Sequence, residues 1–147
     1  MTHSESMLNN KPDKWFDRLA NFFYQAQMTR LVGELRVEAP TVFRSMVHDV
    51  DSHIAPEVEA EIARYLSSPY QDDLKPSETL MPKMMAKYGI TEAEFMSLER
   101  KHRQQLARRC NQCTQVSQCW LAMRAKAELE ECERFCPNQA SFDAISH

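Results

Sequence analysis

Apolar residues recur along this chain at three- and four-residue intervals, the spacing of amphipathic helices. After a polar stretch over residues 1–11, expected to be loose, Pro12 or Asp13 opens a helix with Trp15, Leu19, Phe22, Phe23 and Ala26 in register, followed by Leu31, Val32 and Leu35. This most aromatic segment is expected to face the core or a partner, and it offers a route to self-association. Pro40 restarts the pattern through Val42, Phe43, Met46, Val47 and Val50, and Pro56 restarts it again through Val58, Ile62, Tyr65 and Leu66. Beyond a polar, proline-containing run from Ser67 to Ser77, Leu80, Met81, Met84 and Met85 mark a methionine-rich helix that Gly89 would stop. Thr91 and Glu94 form a capping box. One helix is expected from there through Phe95, Leu98, His102 and Leu106, delivering Cys110 from its last turn. Trp120, Leu121 and Met123 begin another after Cys119, and Phe142 and Ile145 return a short last segment to the core.

The chain has 147 residues and only two glycines, fewer than tightly turned sheets need, so the fold class expected is all-α, a bundle of short helices. Three parts are expected: an N-terminal helical region over 1–66, a linker over 67–77, and a cysteine-bearing helical domain over 78–147. The formal net charge of −3 argues against bulk nucleic-acid binding. The apolar-leaning run from Leu19 to Leu35 is interrupted by Asn21, Gln25, Gln27, Arg30 and Glu34, so no membrane span is expected. No signal-peptide pattern is read in residues 1–11, so the compartment expected is the cytoplasm, where thiols stay reduced.

That compartment bears on the cysteines. Cys110, Cys113, Cys119 and Cys136 fall at C-x2-C-x5-C-x16-C, with Cys132 just ahead of the last. Five is an odd number for a disulfide framework, and four convergent thiolates suit a metal centre. Both zinc and an iron–sulfur cluster accept such a set. A single C-x2-C, irregular spacing and the Cys136–Pro137 pair favour the cluster. Buried inert thiols are the plainer alternative. His102 near Cys110 has no assignable acid or oxyanion donor, so no catalytic constellation is found and no enzymatic role is expected. His48 and His53, with Asp49 and Asp51 between them, read as solvated polar residues at a helix end rather than as a second metal site.

The run L-A-R-R-C-N-Q-C-T-Q-V-S-Q-C-W-L, followed by F-C-P-N-Q-A-S-F, resembles a small proteobacterial domain-of-unknown-function family, number 6455. Its members share C-x2-C-x5-C, a following W-L, then C-x-N and a downstream Phe. The matching positions are Cys110, Cys113, Cys119, Trp120, Leu121, Cys136, Asn138 and Phe142, within a resemblance covering about residues 80–145. The resemblance implies the same four ligands, gives Cys132 no role and implies no established activity.

Between Cys119 and Cys136 this chain has R-A-K-A-E-L-E-E-C-E-R, good helix formers where the family has breakers. A helix running to Glu131 would carry the chain about 18 Å from Cys119, a distance five extended residues barely recover. An early helix end near Ala127 is therefore expected, with Cys136 in the shared site. The functional expectation is a small cytoplasmic iron–sulfur protein, its cluster of the 4Fe-4S kind, serving electron transfer or redox sensing with a protein partner. The alternative is a zinc-stapled helical adaptor that binds a regulatory partner.

Overall fold

The computed structural model describes residues 11–68 and 71–146. The loose start expected over residues 1–11 lies outside the described residues apart from Lys11, and so do the side chains of Phe22 and Phe23. Every regular element among the described residues is helical: α1 (Lys11–Glu38), α2 (Pro40–His48), α3 (Pro56–Leu66), α4 (Pro76–Thr79), α5 (Met81–Lys87), α6 (Glu92–Met96), α7 (Arg100–Asn111), α8 (Val116–Arg124), α9 (Leu129–Glu133) and α10 (Gln139–Ile145). Proline sits in the first turn of α2, α3, α4 and α5, where a missing backbone N–H costs nothing.

The N-terminal helix is used unevenly. Trp15, Leu19, Tyr24 and Leu31 are exposed, and burial begins at Val32, which is 3% accessible. From there α1 lies against α3, where the Tyr65 hydroxyl approaches so closely that a Cβ at Gly33 would meet it at 2.8 Å. Phe43, Val47, Ile62 and Leu66 complete the N-terminal contribution to the core.

The helix stops follow from local hydrogen bonding. Gly89 adopts φ +76°, its N–H bonds the Ala86 carbonyl, and the N–H of Ile90 bonds that of Met85, a Schellman closure that also seats the buried Ile90. The Thr91–Glu94 capping box forms in both directions. The helix it starts ends sooner than the periodicity predicted. The Ser97 hydroxyl donates to the Glu94 carbonyl at 2.6 Å, Leu98 N–H reaches back only to Phe95, and Glu99 turns extended at ψ 143°. The expected single helix from Thr91 to Cys110 is thus two, α6 and α7, and of its apolar stripe only Leu106 is fully buried. Likewise α8 starts at Val116 and contains Cys119, instead of following it.

The early stop after Cys119 is present. Lys126 takes the left-handed conformation at φ 53°, its N–H bonds Met123 and that of Ala127 bonds Ala122. This is the same Schellman closure as at Gly89, made with a lysine. It folds the chain back through α9 toward Cys136.

The N-terminal helices and the cysteine-bearing segment share one core. Val32, Phe43, Val47 and Ile62 pack in the same cluster as Leu106, Val116, Trp120 and Met123. Trp120 Nε1 donates to the Val47 carbonyl at 2.8 Å, and Ser117 Oγ to that of Ala63 at 2.8 Å. Arg124 donates to Glu59 at 2.8 Å and to the carbonyls of Asp49 and Ser52. The expected linker is packed as well. Asp73 is 4% accessible and accepts from Arg36 at 2.8 Å, and Leu74 and Pro76 are buried. A boundary at 67–77 therefore does not separate two cores. Within the run Asp73 is a buried carboxylate paired with Arg36, while Ser67, Ser68, Asp72 and Lys75 face solvent.

Candidate metal centre

Cys110 lies in the last turn of α7, where the helix ends with Asn111. A tight turn follows, in which Cys113 N–H bonds the Cys110 carbonyl at 3.1 Å, and Cys119 comes one turn into α8. Asn111 Oδ1 accepts from the Ser77 N–H at 2.9 Å, tying this turn to α4. Cys136 follows α9, its N–H bonded to the Cys132 carbonyl.

These four cysteines, distant in sequence, line one cavity. The space between its lining atoms, counted out to its mouth, is about 370 Å³. Leu80, Met81, Met84, Val116, Phe135 and Phe142 form most of the remaining wall, and among the described residues no Asp, Glu, Lys, Arg or His side chain lines it. Cys132 is fully buried but does not line the cavity. Among the described residues, no group of three or more His, Cys, Asp or Glu side chains forms a ready site for a metal ion. The structure thus shows four thiols around a shared space and not a formed ligand shell, so the metal centre expected from spacing is not itself shown. His102 does not line the cavity. His48 is exposed, and its Nδ1 donates to the Arg44 carbonyl at 2.7 Å.

Burial controls the chemistry of these thiols. It pushes Cys110 up to about 12, with Cys113 and Cys136 adding to the effect. Cys119 is raised further, by burial first and then by Cys110, Cys136, Cys113 and Cys132. Cys136 is raised by burial, opposed by a hydrogen bond from the backbone N–H of Asn138, and raised again by Cys113 and Cys132. A thiol so far above neutrality carries little thiolate and is a poor nucleophile. Two backbone donors work the other way. Asn138 N–H points to Cys136, and Gln115 N–H donates to Cys113 Sγ at 3.2 Å. Both run from residue i+2 to the sulfur, and the one at Cys136 favours its anionic form.

The donor set therefore fits a bound cationic centre. Four soft sulfurs converge without a competing hard ligand or a cationic side chain, so a metal group would supply the charge that allows them to ionise. Asn138 is 1% accessible and lines the cavity, its Nδ2 donates to the Leu106 carbonyl at 2.8 Å, and its Oδ1 has no partner. Sequence reasoning noted Asn138 only as a shared position and gave Met81 and Met84 to the core. Their apolar periodicity carries no sign that they also wall a site.

A family profile for a family of unknown function matches residues 68–147, just over half of the chain. The chain belongs to that family, DUF6455. No curated protein and no solved structure matches it. The DUF6455 segment contains all five cysteines and begins at Ser68, so the family portion starts where the polar run starts, although the core does not divide there. Helices α2 and α3, which precede it, hold α8 through the Trp120 and Arg124 contacts. No helix among the described residues is long and apolar enough to cross a membrane.

Proposed function

We propose that this DUF6455 protein is a small iron–sulfur protein of the cytoplasm that serves electron transfer or redox sensing, with Cys110, Cys113, Cys119 and Cys136 holding the cluster, of the 4Fe-4S type. The observation that supports the reading is the convergence of four thiols, and among the described residues no charged side chain, on one apolar cavity. Bound there, a cluster would supply one-electron chemistry. The chain's own part is to exclude water with Leu80, Met81, Met84 and Phe142, and to direct the N–H groups of Gln115 and Asn138 at two of the sulfurs. The single C-x2-C, the irregular spacing and the Cys136–Pro137 pair favour a cluster over a single zinc ion. The raised thiols speak against a nucleophilic role.

The test is replacement of each cysteine by serine in protein purified without oxygen. Loss of iron and sulfide in the Cys110, Cys113, Cys119 and Cys136 variants, with retention in the Cys132 variant, supports the assignment. Iron that survives any two of the four replacements would remove it.

A further inference from the structure

We propose that an acidic electron-carrier protein docks on the outer face of α7, beside the thiol site; the inference rests on the redox reading above. The sequence of α7 is R-K-H-R-Q-Q-L-A-R-R-C-N. It holds five of the chain's 18 Lys and Arg and none of its 21 Asp and Glu, which leaves 13 against 21, or −8, on the rest. Only Leu106 is buried, and Arg100, Lys101 and Arg108 are exposed.

Stability does not explain this charge. Arg108 and Arg109 suit the carboxyl end of a helix, but Arg100 and Lys101 stand in the first turn, where the helix dipole opposes cations and no acidic residue follows the N-cap Glu99. None of the five cations takes part in the ion pairs among the described residues. Arg103 spends a guanidinium N–H on the Met96 sulfur at 3.5 Å, and its Nε is buried with no partner.

Beside these cations runs an open groove lined by Phe95, Met96, Arg100, Arg103, Gln104 and Ala107. Met96 is 58% accessible. Cations beside exposed apolar side chains fit a protein face bearing carboxylates around an apolar side chain. A nucleic acid would bring phosphates to those apolar side chains and meet the negative charge of the remaining chain. The same helix ends in Cys110, so a carrier on this face stands within a few turns of the first proposed ligand.

The experiment uses the full chain and two acidic one-electron carriers as probes, a plant-type ferredoxin and a flavodoxin, with a short DNA duplex as the competing class. Binding is read by calorimetry, and the face by carbodiimide cross-linking, which joins Lys101 to a neighbouring carboxylate. At least one carrier should bind and cross-link through Lys101. Its affinity should fall about ten-fold in the Arg100→Glu/Arg108→Glu variant and fall again between about 50 and about 300 mM salt. Unchanged melting of that variant separates lost docking from lost folding. Binding by neither carrier, equal binding by the variant, or tighter binding of the duplex would overturn the proposal. Because the readout is binding, a colourless, iron-free protein that still binds a carrier would sink the cluster reading separately.

Discussion

Arg124 is the side chain that most directly joins the DUF6455 segment to the helices before it. Its side chain is 4% accessible, and it donates from Nε to Glu59, from Nη1 to the Asp49 carbonyl and from Nη2 to the Ser52 carbonyl, while its guanidinium stacks 5.1 Å from the centroid of Trp120. Replacing it with methionine keeps the stem on Trp120 and removes every one of the three hydrogen bonds. Breaking a buried pair costs about 3–5 kcal/mol. The Glu59 side chain is 32% accessible, so water can resolvate it and the lower end applies, about 3 kcal/mol. For a chain of this size that lowers Tm by about 6–12 °C. Arg124→Lys keeps one charged contact and should lose about half as much. Urea and thermal unfolding followed by circular dichroism measure both. A loss for Arg124→Met below about 1 kcal/mol would refute the view that this contact clamps the two parts. Resolution into two transitions would restore a divide at 67–77.

Three further outcomes follow from single sites. Lys126→Gly should stabilise the protein by about 0.5–1 kcal/mol in a urea titration, because glycine holds the left-handed turn without a Cβ clash; a net loss would refute that account of the turn. Tyr88 is buried, its hydroxyl has no partner, and burial followed by the nearby Cys136 raises it above its usual value of 10.0, so folding favours the neutral phenol. That contribution is complete below pH 10 and is lost as pH rises beyond it, so Tyr88→Phe should be neutral or gain about 1 kcal/mol at pH 7 and should lessen the alkaline loss of stability; equal pH profiles would refute it. Cys132→Ala should cost about 1 kcal/mol of stability yet leave metal content per chain unchanged, whereas Cys119→Ser should abolish metal binding; the reverse pattern by elemental analysis would put Cys132 in the site.

The sequence was most informative where one interaction decides a local outcome. The capping box at Thr91, the stop at Gly89 and the proline starts are set by groups a few residues apart, and all formed as read. The end of the helix after Cys119 was legible from reach alone, because a longer helix strands Cys136. Its mechanism was not, since a lysine in the left-handed region gives no signal of its own. The break at Ser97 was missed because its apolar stripe runs on in register while a serine hydroxyl takes over the Glu94 carbonyl. The packing of Asp73 and Leu74 within the polar run was not legible for a similar reason. Polar residues that pair in a buried place, such as Asp73 with Arg36, have the composition of solvated ones. For the thiols, spacing named four that face a common cavity, while the apolar wall around them came from residues whose periodicity says only that they are inside.

The measurement closest to the central claim is the joint count of iron, zinc and acid-labile sulfide in protein purified without oxygen, with its absorbance recorded before and after dithionite. The account predicts a brown protein with iron and sulfide in equal number and a band near about 400 nm that bleaches on reduction. A colourless protein with one zinc per chain, no sulfide and no response to reductant would contradict it and leave the four cysteines as a structural staple.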